Sequence, residues 1–259
     1  MAKRNISCFL VVLVSLLAVA LAEATTEPPA VYIFGDSTLD VGTNNYIPEC
    51  LAKADFYFNG IDFPYSEPTG RFSNGLNTAD EIVRLLGLRR SPPPFLQLVN
   101  DPSTFRKNIL KGANFASGGS GILNSTGQYQ YTLYELGARK LGILTVPPIG
   151  CTPFARARAN GNCSEPARRF AQAFYTEAVA LLEKLSSQVP DLRYSLANTY
   201  LMTTGMMENM FAFGYKPKLF VIQFHPTQRV SELAALTLFG GSESFVAPMN
   251  FSQLLGVNI

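Results

Sequence analysis

A short apolar run, Val31-Tyr32-Ile33-Phe34, stops at Gly35, and an acid and a hydroxyl, Asp36 and Ser37, follow side by side. A serine at a strand end has two readings, a cap for the next turn or a nucleophile. Unaided, its hydroxyl is a poor nucleophile. It needs a base within hydrogen-bond reach and donors for the oxyanion that develops on the attacked carbonyl. The chain holds one histidine, His225, in a His-Pro-Thr-Gln stretch, so an imidazole base for Ser37 has only one source. A glycine-rich segment, Ser117-Gly118-Gly119-Ser120-Gly121, follows a second short apolar stretch. It does not have the G-x-G-x-x-G spacing of a dinucleotide loop. No His, Cys and Asp cluster has metal-ligand spacing. Neither a cofactor nor a metal is expected.

These groups need a scaffold that brings distant segments together. Residues 31–34 are β-rich and continuously apolar, as in a buried parallel strand. Further strands are expected at 114–116, 141–146 and 193–197. Helices are expected at 78–86, with Ile82, Leu85 and Leu86 on one side and Gly87 as the stop, and from a Ser164 cap through about Leu185. In the latter, Phe170, Phe174, Ala178, Leu181 and Leu185 recur at three or four residues. A final helix is expected at 231–238. Strands alternating with helices predict an α/β domain with a mostly parallel sheet. Sites in such sheets lie at the C-terminal ends of strands, where Ser37 and the glycine-rich segment both fall.

The 259 residues suffice for one substantial core, and 47% hydrophobic against 15% charged residues excludes a disordered chain. A net charge of +2 without a basic cluster argues against nucleic-acid binding. Lys3 and Arg4, the apolar run from Ile6 to Leu21 and Ala22-Glu23-Ala24 have the order of a cleaved secretory signal, 1–24. The run is short for a membrane span, so no stable span is expected after cleavage and the protein is expected to be extracellular. The remainder, 25–259, reads as one domain, with its oligomeric state left open. Cys151 and Cys163 flank a short polar loop and can close a disulfide, leaving Cys50 without a partner. Asn124, Asn162 and Asn250 lie in N-x-[ST] sequons and are glycosylation candidates.

Six blocks occur in order: GDSTLDVGTNN from Gly35, PTGRFSNG from Pro68, GANFASGGSGIL from Gly112, YELGARK from Tyr134, PPIGCTP from Pro147 and HPTQ from His225. Together they resemble the GDSL esterase/lipase family of plants, part of the SGNH hydrolases. The resemblance runs from about Val31 to the C-terminus. It implies a three-layer α/β/α, flavodoxin-like fold and a secreted enzyme of lipid metabolism that hydrolyses small-molecule or lipid carboxylic esters. By the resemblance, Ser37 is the nucleophile and its own N–H an oxyanion donor, Gly118 supplies a second backbone N–H, and His225 is the general base. Asp36 and Asp40, in the first block, are read as shaping the turn.

The chain departs from the family twice. Near residues 128–132 it lacks the segment that carries a central strand and a Gly-x-Asn-Asp motif, whose Asn is the third oxyanion donor. Near 216–222 it is shortened again, and Ile222 stands where the family's Asp-x-x-His places the acid that orients the imidazole. Loss of such an acid costs ~10⁴ in rate and loss of one oxyanion donor about 10²–10³, and the factors do not simply multiply. The sequence therefore predicts an α/β domain lacking one central strand, and a Ser–His dyad with weakened esterase activity. The alternative is an inactive, truncated member that binds acyl or carbohydrate ligands or has no function.

Overall fold

The structure is a computed structural model and describes residues 28–121, 137–189, 191–208, 220–221 and 225–257. The expected signal segment 1–24 lies outside them, as do Asn124, residues 128–132 and Ile222.

Strand β1 (Val31–Ile33) is followed by helix α1 (Thr78–Leu85), two short helices, α2 (Phe95–Val99) and α3 (Phe105–Ile109), and β2 (Gly112–Asn114), which pairs parallel with β1. Asn77 starts α1 through a reciprocal capping box with Asp80. The Arg71 guanidinium grips the Asp80 carboxylate with two bonds, at 2.6 and 2.8 Å, and so ties the loop before α1 to its first turn. Next come β3 (Lys140–Leu144), α4 (Pro153–Arg158), the long α5 (Glu165–Gln188), β4 (Arg193–Ala197) and α6 (Thr199–Glu208). Strands β3 and β4 run parallel, with Lys140 opposite Arg193 and Leu144 opposite Ala197. Strands β5 (Phe220–Val221) and β6 (His225–Pro226) form a small antiparallel pair. Helix α7 (Gln228–Gly240), β7 (Val246–Ala247) and α8 (Phe251–Gly256) complete the chain, β7 pairing antiparallel with β4.

Among the described residues the strands form three small sheets, β1-β2, β3-β4-β7 and β5-β6, rather than one continuous sheet. The β1–β2 and β3–β4 ladders are parallel, as expected, while β7 and the β5–β6 pair are antiparallel. Helices join the pieces, since α1, following β1, packs chiefly on α7, following β6. Ala197, Leu238, Val246 and Phe251 form a buried cluster, with Ile82, Leu144, Phe239 and Phe245 against it.

Four local expectations need correction. Strand β2 ends at Asn114, not Ala116, and the Asn114 side chain bonds just beyond it: Oδ1 accepts from the Ala116 N–H and Nδ2 donates to Leu39 O. In α5 the inward face is rotated by one residue. Ala171 and Leu182 are buried, whereas Phe170 and Leu181 are 75% and 65% exposed. Ser164 occupies the cap position of α5 without a side-chain cap bond. The last helix of the chain is α8, not the one over 231–238.

Candidate active site

Ser37 sits in a tight turn directly after β1. Asp36 shapes that turn twice over. Its carbonyl accepts from the Leu39 and Asp40 N–H groups, and its Oδ1 accepts from both the N–H and the hydroxyl of Thr38. Among the described residues the Ser37 N–H has no acceptor. The turn is thus closed by its neighbours and leaves the N–H of Ser37 available.

The loop after β2 continues alongside this turn. Phe115 N–H donates to Ile33 O at 2.7 Å, Ser117 N–H to Gly35 O at 3.0 Å, and the Ser120 hydroxyl to Gly35 O at 2.7 Å. Asn44, almost wholly buried, holds the loop from the other side through Ser117 Oγ at 2.6 Å and Gly118 O at 2.9 Å. Asp40 is fully buried, and its carboxylate accepts from the N–H groups of Gly42, Thr43 and Gly118. Burial pushes its carboxyl above the usual carboxylate range, against the opposite pull of those N–H bonds.

Gly118 is therefore not placed as the sequence suggested. Its N–H donates to Asp40 Oδ2 at 2.9 Å, and a Cβ there would stand 2.6 Å from the Phe72 ring. The next residue, Gly119, has φ +91°, open space around its Cβ position and, among the described residues, no acceptor for its N–H. The buried carboxylate of Asp40 occupies the Gly118 amide and not that of Gly119.

His225 begins β6, and its Nε2 lies 2.8 Å from Ser37 Oγ. Pro226 and Thr227 lead straight into α7, where the Thr227 hydroxyl accepts from the Val230 N–H. Phe72 covers the ring, 5.0 Å between centroids. Burial pushes the imidazole below the ordinary histidine value, while the nearby Asp36 charge pulls it back up. A neutral imidazole can accept the serine proton at Nε2 when its own proton is on Nδ1.

No protein-family model matches the chain. It is similar to a series of Arabidopsis thaliana GDSL esterase/lipases. One is 26% identical over 366 positions, spanning 97% of this chain and 98% of the relative. A second is 29% identical over 74% of this chain and 75% of the relative, and a third is 28% identical over 72% and 71%. Along nearly its whole length the chain is similar to plant GDSL esterase/lipases, which supports that family. The first alignment is 366 positions long against the 259 residues of this GDSL chain, and it spans nearly all of both sequences, so internal stretches of the relative have no counterpart here.

The other predicted positions are scattered. Cys151 and Cys163 are disulfide-bonded and Cys50 is free. Asn162 is exposed in the loop they close. Asn250 caps α8: its Oδ1 accepts from the Gln253 N–H and its Nδ2 donates to Gly241 O. Among the described residues no three potential metal ligands come together, and no helix is long and apolar enough to cross a membrane. The bonding of Asn44 and the open amide of Gly119 escaped the sequence reading, although both residues lie inside blocks that carry the family resemblance.

Proposed function

We propose that this GDSL chain is a secreted esterase acting on small-molecule or lipid carboxylic esters through an acyl-serine intermediate. The observation that carries the reading is the 2.8 Å approach of His225 Nε2 to Ser37 Oγ, within the reach a general base requires. Ser37 Oγ attacks the ester carbonyl carbon while His225 Nε2 takes its proton. The carbonyl π electrons move onto oxygen, and the N–H groups of Ser37 and Gly119 hold the resulting oxyanion. Collapse of the tetrahedral intermediate breaks the bond to the alkoxy oxygen, which leaves as the alcohol with the proton from His225. Water, deprotonated by the same imidazole, then attacks the acyl-serine and releases the acid.

Fewer oxyanion donors than the family's three would make a weaker site, and we expect reduced turnover on that ground. The Cys151–Cys163 bond supports an oxidising compartment and hence secretion. For the fold we favour the three-layer arrangement with one central strand lost. Tyr32 and Phe34, at and just after β1, are nearly half exposed, as strand residues beside a missing neighbour would be.

The test is hydrolysis of p-nitrophenyl butyrate by the purified mature chain and by Ser37→Ala. The expected result is measurable turnover that drops to the buffer background in the variant. Equal turnover by both removes Ser37 from the chemistry and leaves a binding protein on the same scaffold.

A further inference from the structure

Asn74 and Gln228, 154 residues apart, bond to one another's segments in both directions. The N–H of Gln228, the first residue of α7, donates to Asn74 Oδ1 at 2.8 Å, and Gln228 Oε1 accepts from the Leu76 N–H at 2.9 Å. The first N–H groups of a helix have no partner inside it, so Asn74 caps α7 from outside the helix. Asn74 is itself held, its Nδ2 donating to the Asp62 carboxylate and its carbonyl accepting from the Asp62 N–H. Gly75 makes room for the clamp, since a Cβ at that position would overlap Gln228 Oε1.

The residue after Leu76 reaches the other half of the site. Asn77, the cap of α1, donates from Nδ2 to Asp40 O at 2.8 Å. Asp40 closes the turn that holds Ser37. Two consecutive residues at the start of α1 are therefore bonded, one to the serine turn and the other to the helix that begins three residues after His225. The connection from His225 to Gln228 is short and stiff: proline fixes its own φ at 226, and Thr227 is engaged as a helix cap.

We propose that Asn74 and Gln228 are positioning residues for His225, holding its imidazole at bonding distance from Ser37 through the start of α1. The inference rests on the Ser37–His225 reading, but its decisive measurement does not. His225 is the only histidine in the chain, so its imidazole NMR signals are assigned without ambiguity.

The experiment records those signals and their titration for the wild type, Gln228→Ala and Gln228→Glu, beside p-nitrophenyl butyrate kinetics and thermal melts. Gln228→Ala is expected to shift the imidazole resonances and to move the pKa from its depressed value toward the ordinary ~6.5. It is also expected to lower kcat by on the order of 10²-fold with little change in KM. Gln228→Glu keeps an acceptor for the Leu76 N–H and is expected to restore both readouts. Should Gln228→Ala fail to fold, Gly75→Ala displaces the same carboxamide and carries the same measurement. An imidazole spectrum and pKa unchanged in the folded variant, with only the melting temperature lowered, overturns the proposal. Turnover that ignores Ser37→Ala, alongside an imidazole that still responds to Gln228→Ala, sinks the hydrolase reading and leaves the positioning role standing.

Discussion

Ser37 Oγ and His225 Nε2 lie 2.8 Å apart although 188 residues separate them in the chain. Only the neutral imidazole can take the serine proton, so the proposed activity requires His225 above its pKa and is expected to be lost as pH falls through it. Burial holds that pKa below the ordinary ~6.5, so the acid limb of kcat/KM is expected below that value. Asp36 is the charge acting the other way. Asp36→Asn keeps an oxygen for the Thr38 N–H and hydroxyl while removing the charge, so the limb should move to still lower pH. A limb that moves up in this variant contradicts the assignment of the titration to His225.

Part of the fold was legible because local rules place it. The strand over 193–197 is found at those residues, and the turn at Gly35-Asp36-Ser37 follows β1 as its composition implies. What escaped is non-local or carried by side chains. The Asn114 carboxamide binds the Ala116 N–H just past β2, and no strand propensity records that. Asn74 and Gln228 meet across 154 residues and leave no periodicity to detect. Asn250 reads as a sequon and works as a cap, which is why the short α8 behind it was missed. The choice between Gly118 and Gly119 turns on where one buried carboxylate points.

That carboxylate supplies the second prediction. Asp40 serves three backbone N–H groups, from Gly42, Thr43 and Gly118. Asp40→Ala leaves all of them without an acceptor in a largely buried setting. Each unsatisfied group costs about 1–3 kcal/mol, so denaturant unfolding should show a loss on the order of 3–5 kcal/mol, a large part of a domain's usual ~5–15. A variant within about 0.5 kcal/mol of wild type would mean that water replaces the carboxylate, and that the loop after β2 is held mainly by Asn44.

The disulfide should matter for stability and not for chemistry. Cys151 and Cys163 are 12 residues apart, and closing a loop of that size stabilises by about 3 kcal/mol in the chain-entropy picture. The bond anchors the turn before α4 to the start of α5, and none of the groups placed around Ser37 belongs to that loop. The double variant Cys151→Ser/Cys163→Ser is expected to melt earlier while keeping the wild-type KM at temperatures where it remains folded. A changed KM would place the loop at the substrate.

The two described sequons should behave differently in a secretory host. Asn162 is exposed, and no side-chain bond of its carboxamide would be lost to a sugar. Asn250 uses both ends of its carboxamide, Oδ1 on the Gln253 N–H and Nδ2 on Gly241 O, in the capping box that starts α8. A glycan on Nδ2 would disturb the Gly241 bond and crowd a helix whose Phe251 and Leu254 are buried in the core. Loss of such a cap costs about 1 kcal/mol before any crowding is counted. Peptide mapping after enzymatic deglycosylation should therefore find the deamidation tag at Asn162 in the folded, secreted fraction, and little at Asn250. Full occupancy of Asn250 in protein with a wild-type melting temperature would show that α8 tolerates the loss of its cap.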